Sequence, residues 1–289
     1  MFTSTVKNLP KNELLITITI SSDEIKMTRE KVLDEVVKNA ELKGFRKGKV
    51  PRDLVEKDID KDKLYQETFQ ELLPRAYSEA LTKNDLHPIV DPEIKLISPS
   101  KLSEIDEGKE VIFEAKTAVK PVVNLKDYKD KIKSLNAKAA IWTPDKGKPD
   151  EKTEVKKPAI EEIIKILLDT VNVELPDILV NHESQRFLSQ TLDEIKKLGL
   201  TLDQYLASTG KSADLLKAEA SQKALGDLKL EFALGEIAKQ EKITVEQKDI
   251  DKVINENKDP QAQENLRKQS YLIATVLLQQ KTLDFLKAL

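Results

Sequence analysis

The sequence predicts an α+β N-terminal domain followed by an all-α, elongated C-terminal domain. Three observations lead there. Leu14 to Ile20 alternates with period two, as a half-buried strand does, and similar runs recur at 93–97 and 110–119. Apolar residues spaced by three and four mark helices between these runs. From residue 158 onward every patterned segment is helical. The division is residues 1–118 for the α+β domain, 119–157 for an extended, largely flexible linker, and 158–289 for the helical domain.

In the first domain, Leu14, Ile16, Ile18 and Ile20 share one face and the threonines between them the other. Ser22 or Asp23 offers an N-cap for a helix whose stripe of Ile25, Val32, Val36, Val37 and Ala40 runs as far as Leu42. A glycine-bounded basic loop follows. The next helix, from about Asp60 to Lys83, carries Leu64, Tyr65, Phe69, Leu72, Leu73 and Ala76, with Pro74 as a candidate kink. The linker holds 11 Lys against 6 Asp or Glu, and from Thr143 to Lys157 it has almost nothing to bury. Trp142 reads as a small anchor onto a neighbouring domain. Beyond it, helices are expected at Ile160 to Val171, Pro176 to Gly199, Thr201 to Ser208, Lys211 to Gln240 and Val245 to Asn257. A last helix starts at Pro260 and reaches the C-terminus.

Composition narrows the function. Charged residues make up 34% of the 289 and aromatics 4%, which suits long solvated helices better than an aromatic-lined pocket. There is no cysteine, so disulfides, thiolate nucleophiles and Cys-based zinc sites are excluded. No run approaches the roughly 18 apolar residues of a membrane span, and no signal peptide is visible; a cytoplasmic protein without membrane or DNA partners is expected. The net charge of −3 argues against whole-surface attraction to nucleic acid. Its distribution is uneven, because Lys43, Arg46, Lys47, Lys49 and Arg52 fall within ten residues that contain no acid. Screening beyond about 8–10 Å lets such a patch act locally.

That patch is the candidate site. Gly44 and Gly48 free the backbone and Pro51 fixes its exit, pushing Phe45 to a tip. Arg46 offers a planar fork, and Lys47 and Lys49 offer point charges. A hydrophobic tip ringed by cations suits a surface with an apolar pocket and negative charge. The string Gly44-Phe45-Arg46-Lys47-Gly48-Lys49-Val50-Pro51 resembles the ribosome-binding signature of bacterial trigger factor, and it falls where that family carries it. Phe113 to Ile132 and Val173-Glu174-Leu175-Pro176 with the helices after it are similar to the same family, so the resemblance covers about 245 residues.

The resemblance implies an ATP-independent chaperone with no cofactor and a ribosome-binding domain at residues 1–118. Its partners would be the large ribosomal subunit, through an exit-tunnel protein and nearby rRNA, and unfolded or nascent polypeptides held by the C-terminal helices. Phe45, Arg46 and Lys47 would make the ribosome contact, with Gly44, Gly48, Lys49 and Pro51 completing the loop. Members of the family usually carry an FKBP-like peptidyl-prolyl isomerase domain, for which Lys133 to Pro158 is too short and too poor in glycine and aromatics. No isomerase activity is therefore expected. An isomerase of this family and an RNA-binding module using the basic loop are the alternatives.

Other chemistry is thinly represented. Gly210-Lys211-Ser212 lacks the earlier glycine of a phosphate loop, since position 205 is Tyr, and reads as a helix break followed by a cap. His87 and His182 have no partner at helical spacing, so no metal site or catalytic residue is proposed. The C-terminal helix has more apolar positions than one core stripe needs, among them Tyr271, Leu272, Ile273, Val276, Leu283 and Leu286. Either it packs on several neighbours, or part of it faces clients or a second subunit, which would make a homodimer.

Overall fold

The structure is a computed structural model that describes residues 2–41, 45–46, 50–99, 101, 104–105, 108–140, 159–257 and 259–289. It forms two compact units, one of residues 1–120 with Pro176–Leu179, the other of Pro121–Leu175 with Val180–Leu289. An α+β unit and a helical unit are the fold class the periodicities predict.

The N-terminal unit is a four-stranded antiparallel sheet in the order β1-β2-β4-β3, backed by helices. β1 (Phe2–Asn8) and β2 (Glu13–Ile20) form a hairpin whose turn places Lys11 and Asn12 at φ 58° and 60°. β2 pairs with β4 (Val111–Ala118), setting Ile16, Ile18 and Ile20 opposite Ala115, Phe113 and Val111. β3 (Glu93–Ser98) closes the other side of β4. Period two puts these isoleucines on one face, where Phe69, Leu72, Ala76 and Ala80 of α3 (Lys61–Lys83) meet them. The rings of Phe69 and Phe113 lie 4.9 Å apart at 60°, a favourable tilted pair. α3 opens on Asp60, whose carboxylate accepts from the Asp62 N–H at 2.9 Å, and it continues through Pro74. α1 (Ser22–Asn39) adds Val32 and Leu33 against Leu64.

β1 has no counterpart in the sequence reading. It is an edge strand whose inward positions are Phe2, Ser4 and Val6, so a polar residue interrupts the apolar alternation. Another element of the unit comes from far along the chain. The buried Glu13 accepts from the Ile178 N–H at 2.9 Å through one oxygen and pairs with Lys116 Nζ at 2.9 Å through the other. A carboxylate here satisfies an otherwise orphaned N–H in the first turn of α6 (Asp177–Lys197).

The helical unit differs from expectation in three places. Residues 119–140, expected within a linker, hold β5 (Val123–Asn124) and α4 (Tyr128–Ala140). Leu125, Tyr128 and Ile132 recur at three and four and are buried against Ile163 and Leu167 of α5 (Ile160–Thr170); the surrounding lysines hide that stripe in a count of composition. β5 pairs with β6 (Asn172–Val173), so a small ladder exists where no strand was expected. Residues 141–158, with Trp142, lie outside the described residues.

Beyond α6 come α7 (Leu202–Thr209), α8 (Ala213–Gln240) and α9 (Gln247–Glu256). The helix expected from Pro260 to the end is two, α10 (Pro260–Lys268) and α11 (Ser270–Ala288), separated at Gln269 where ψ is 21°. No glycine or proline marks that joint. The core gathers Leu234 and Ile237 of α8 and Leu286 of α11 around α4 and α5.

Candidate functional site

The basic loop joins α1 to α2 (Arg52–Asp58), a helix the sequence reading did not separate from the loop. Of the predicted site residues, Phe45, Arg46 and Pro51 are described and all three are exposed, Phe45 at 43%. Gly44, Lys47, Gly48 and Lys49 lie outside the described residues. An aromatic ring left open to solvent next to an exposed guanidinium gives an apolar and a cationic contact at one tip.

The exit of the loop is anchored. Val50 and Val55 are buried on either side of Pro51. The Pro51 carbonyl accepts from the Leu54 and Val55 N–H groups at 3.0 and 3.3 Å and so starts α2. Arg52 then grips α1, donating to Asp34 Oδ1 at 3.0 Å and to Glu30 Oε2. Glu30 and Asp34 are one turn apart, so a single planar fork spans both. The Arg52 hydrogen bond, with its charge and that of Arg29, holds the Glu30 carboxyl below its ordinary range against the opposing effect of burial. Arg52, counted in the sequence among the five cations of the patch, is thus committed to α1.

The remaining candidates behave as structural features. Gly210 ends α7 at φ 66°, Lys211 Nζ pairs with Glu219 at 2.5 Å, and Ser212 caps α8 by accepting from the Leu215 N–H at 3.1 Å. His87 is exposed, 3.5 Å from Asp85. Among the described residues no group of three or more His, Cys, Asp or Glu is placed to hold a metal ion, and no helix is long and apolar enough to cross a membrane. In α11 the two alternatives divide the helix. Leu286 is buried in the core and Leu283 packs against it, whereas Tyr271, Leu272 and Val276 are 86%, 59% and 55% exposed.

A sheet-and-helix unit presenting an aromatic–arginine tip, linked in one chain to a helical unit with an exposed apolar face, defines a two-unit α+β and all-α protein. Comparison with known proteins places it. The family model described as bacterial trigger factor protein matches residues 2–146 and that of the trigger factor C-terminus matches 146–288, so the chain belongs to the bacterial trigger factor family. Trigger factors of Staphylococcus aureus strains JH9 and Newman are each 38% identical over 127 residues, 44% of this chain. That match spans 28% of the length of these relatives. A solved structure of the trigger factor chaperone shares the fold, with a TM-score of 0.61 over 98% of this chain and 99% of that one at 14% identity.

Proposed function

We propose that this chain is an ATP-independent chaperone that docks on the large ribosomal subunit beside the exit tunnel through Gly44–Pro51 and shields emerging polypeptides. The observation that carries the reading is the exposure of Phe45 and Arg46 in a loop whose exit is anchored by buried Val50 and Val55 and by the fork of Arg52 on α1. In this reading docking belongs to residues 1–118 and holding to 158–289.

Holding without nucleotide requires weak contacts that release on their own. Burial is worth only about 25 cal/mol per Å² before ordering costs, so a few exposed side chains such as Tyr271, Leu272 and Val276 suit transient capture. Isomerase catalysis is left out of the proposal, because the family regions matched are the N- and C-terminal ones.

The test is ribosome co-sedimentation. Replacing Phe45, Arg46 and Lys47 together by Ala is expected to abolish pelleting with ribosomes and leave suppression of aggregation in free solution largely intact. A triple variant that still pelleted would remove the docking assignment. Binding to naked RNA as tight as to whole ribosomes, with a steep salt dependence, would favour the RNA-binding alternative.

A further inference from the structure

The N-terminal unit has a second exposed apolar feature, a groove of about 770 Å³ between α3 and β3. It arises because the sheet is wider than the helix that covers it. α3 packs on β1 and β2 and reaches β4 through Phe69 and Phe113. β3 lies one strand further out. Ile94 and Leu96 stand opposite Ala115 and Phe113, so they belong to the core face of the sheet, yet Ile94 is 43% exposed. Phe69, Leu73 and Pro74 form the opposing wall.

Two features suit this groove to a peptide backbone. β3 is the end strand, and among the described residues it pairs only with β4. Along Glu93–Leu96, before the irregularity at Ile97, every second residue therefore turns its N–H and C=O to the open side. Pro74 has no N–H to give the Gln70 carbonyl, which loses its usual helical donor within the same wall. The ring of Tyr77 also lines the groove, while its hydroxyl is buried near that of Thr117, which donates to the Val90 carbonyl at 2.9 Å.

Charge narrows the occupant. Among the lining residues Asp91 alone is ionised, and it faces Tyr77 closely enough to act on it electrostatically. A second copy paired in the register centred on Lys95 would set two like charges opposite each other. The sheet's opposite edge offers no equivalent; there Phe2 is buried, and the nearby depression is lined by Arg75, Ser78 and Glu79.

We propose that this groove binds one extended, apolar segment of an unfolded polypeptide carrying a basic residue, laid along Glu93–Leu96 as an added strand. The segment's backbone pairs with β3, its alternate side chains enter the groove, and its basic residue sits beside Asp91. The volume falls in the range of about 300–1,000 Å³ usual for ligand sites. No docking-loop residue takes part, so this site stands or falls separately from the ribosome assignment.

Fluorescence anisotropy of the full chain with a labelled peptide of about eight residues, alternating Val and Thr beside a Lys, tests the assignment. Ile94→Glu is expected to weaken binding by about tenfold or more, since it puts a charge on the apolar wall next to Asp91. Asp91→Asn should erase a preference for the Lys peptide over its Glu counterpart. N-methylation of alternate peptide amides should cost about tenfold by removing the strand pairing. Phe45→Ala should bind as the parent does. Unchanged binding by Ile94→Glu, or equal binding of the N-methylated peptide, would overturn the proposal. So would a parent chain that sediments as a dimer and an Ile94→Glu monomer, with neither binding peptide.

Discussion

The helices α3 and α11 are 23 and 19 residues long and both are rich in apolar side chains, but they dispose of them differently. α3 buries Leu64, Tyr65, Phe69, Leu72, Ala76 and Ala80. In α11 the buried residues are Thr282 and Leu286, and the first two turns leave Tyr271, Leu272 and Val276 in solvent. The difference lies in the partners. A sheet gives α3 a continuous apolar surface along most of its length, whereas α4, α5 and α8 reach only the later part of α11 in the core cluster. Apolar content says how much a helix could bury; its neighbours decide how much it does.

The most direct way to break that contrast is a matched pair of truncations. Leu72→Ala removes a fully buried side chain beneath the sheet and should cost about 2–5 kcal/mol. Leu272→Ala removes one that is mostly solvated and should change stability by no more than about 0.5 kcal/mol. Urea unfolding of both variants measures the two losses on one scale. Similar values would mean that α11 is covered in solution, by a second copy or by the residues around it.

How much of this was legible in the sequence follows the same rule. Leu14 to Ile20 and the stripe of α3 were readable because each buries one regular face. β1 was not, since Ser4 interrupts the apolar alternation of Phe2 and Val6 on its inner face. α4 was masked by its lysines, although Leu125, Tyr128 and Ile132 carry the stripe. At the candidate site, the Phe45–Arg46 tip was visible as a local motif. The role of Arg52 was hidden, because its carboxylate partners lie 18 and 22 residues earlier on α1 and one carboxylate in a charged helix looks like another. The groove beside β3 depends on the width of a sheet against that of a helix, and no local pattern records it.

Polar burial extends the comparison between the units, with a smaller expected effect. In the N-terminal unit the buried Glu13 has a partner on each oxygen, Lys116 and the Ile178 N–H. Glu13→Ala strands both donors and should destabilise by about 1–3 kcal/mol. Glu13→Gln keeps an acceptor for one of them and should lose less. Thermal melts of the two variants would show that order, and equal losses would mean the carboxylate charge, with Lys116, carries the whole effect.

The helical unit supplies the opposite case in Glu231 on α8, and here the smallest effect is expected. The residue is exposed, yet crowding by its neighbours partly desolvates the carboxyl and raises its pKa; the charge of Glu183 adds to the rise, and Arg186 opposes it. A carboxyl whose folded pKa is raised contributes stability that is fully present below the unfolded value, near 4.5, and is lost as pH rises through the folded one. At neutral pH the ionised Glu231 is thus at most a small burden on the fold, because solvent screens an exposed charge, and it is the reverse of Asp249, which Lys281 holds below its ordinary range. Glu231→Gln is permanently neutral. It should unfold at higher urea than the parent at pH 7, and the gap should close as pH falls below about 4, where the parent is protonated as well. Loss of the attraction to Arg186 works against this gain, but Arg186 keeps its bond to Glu183, so the sign at pH 7 should hold. A variant less stable than the parent at pH 7 would mean that the pairing with Arg186, rather than desolvation, governs this position.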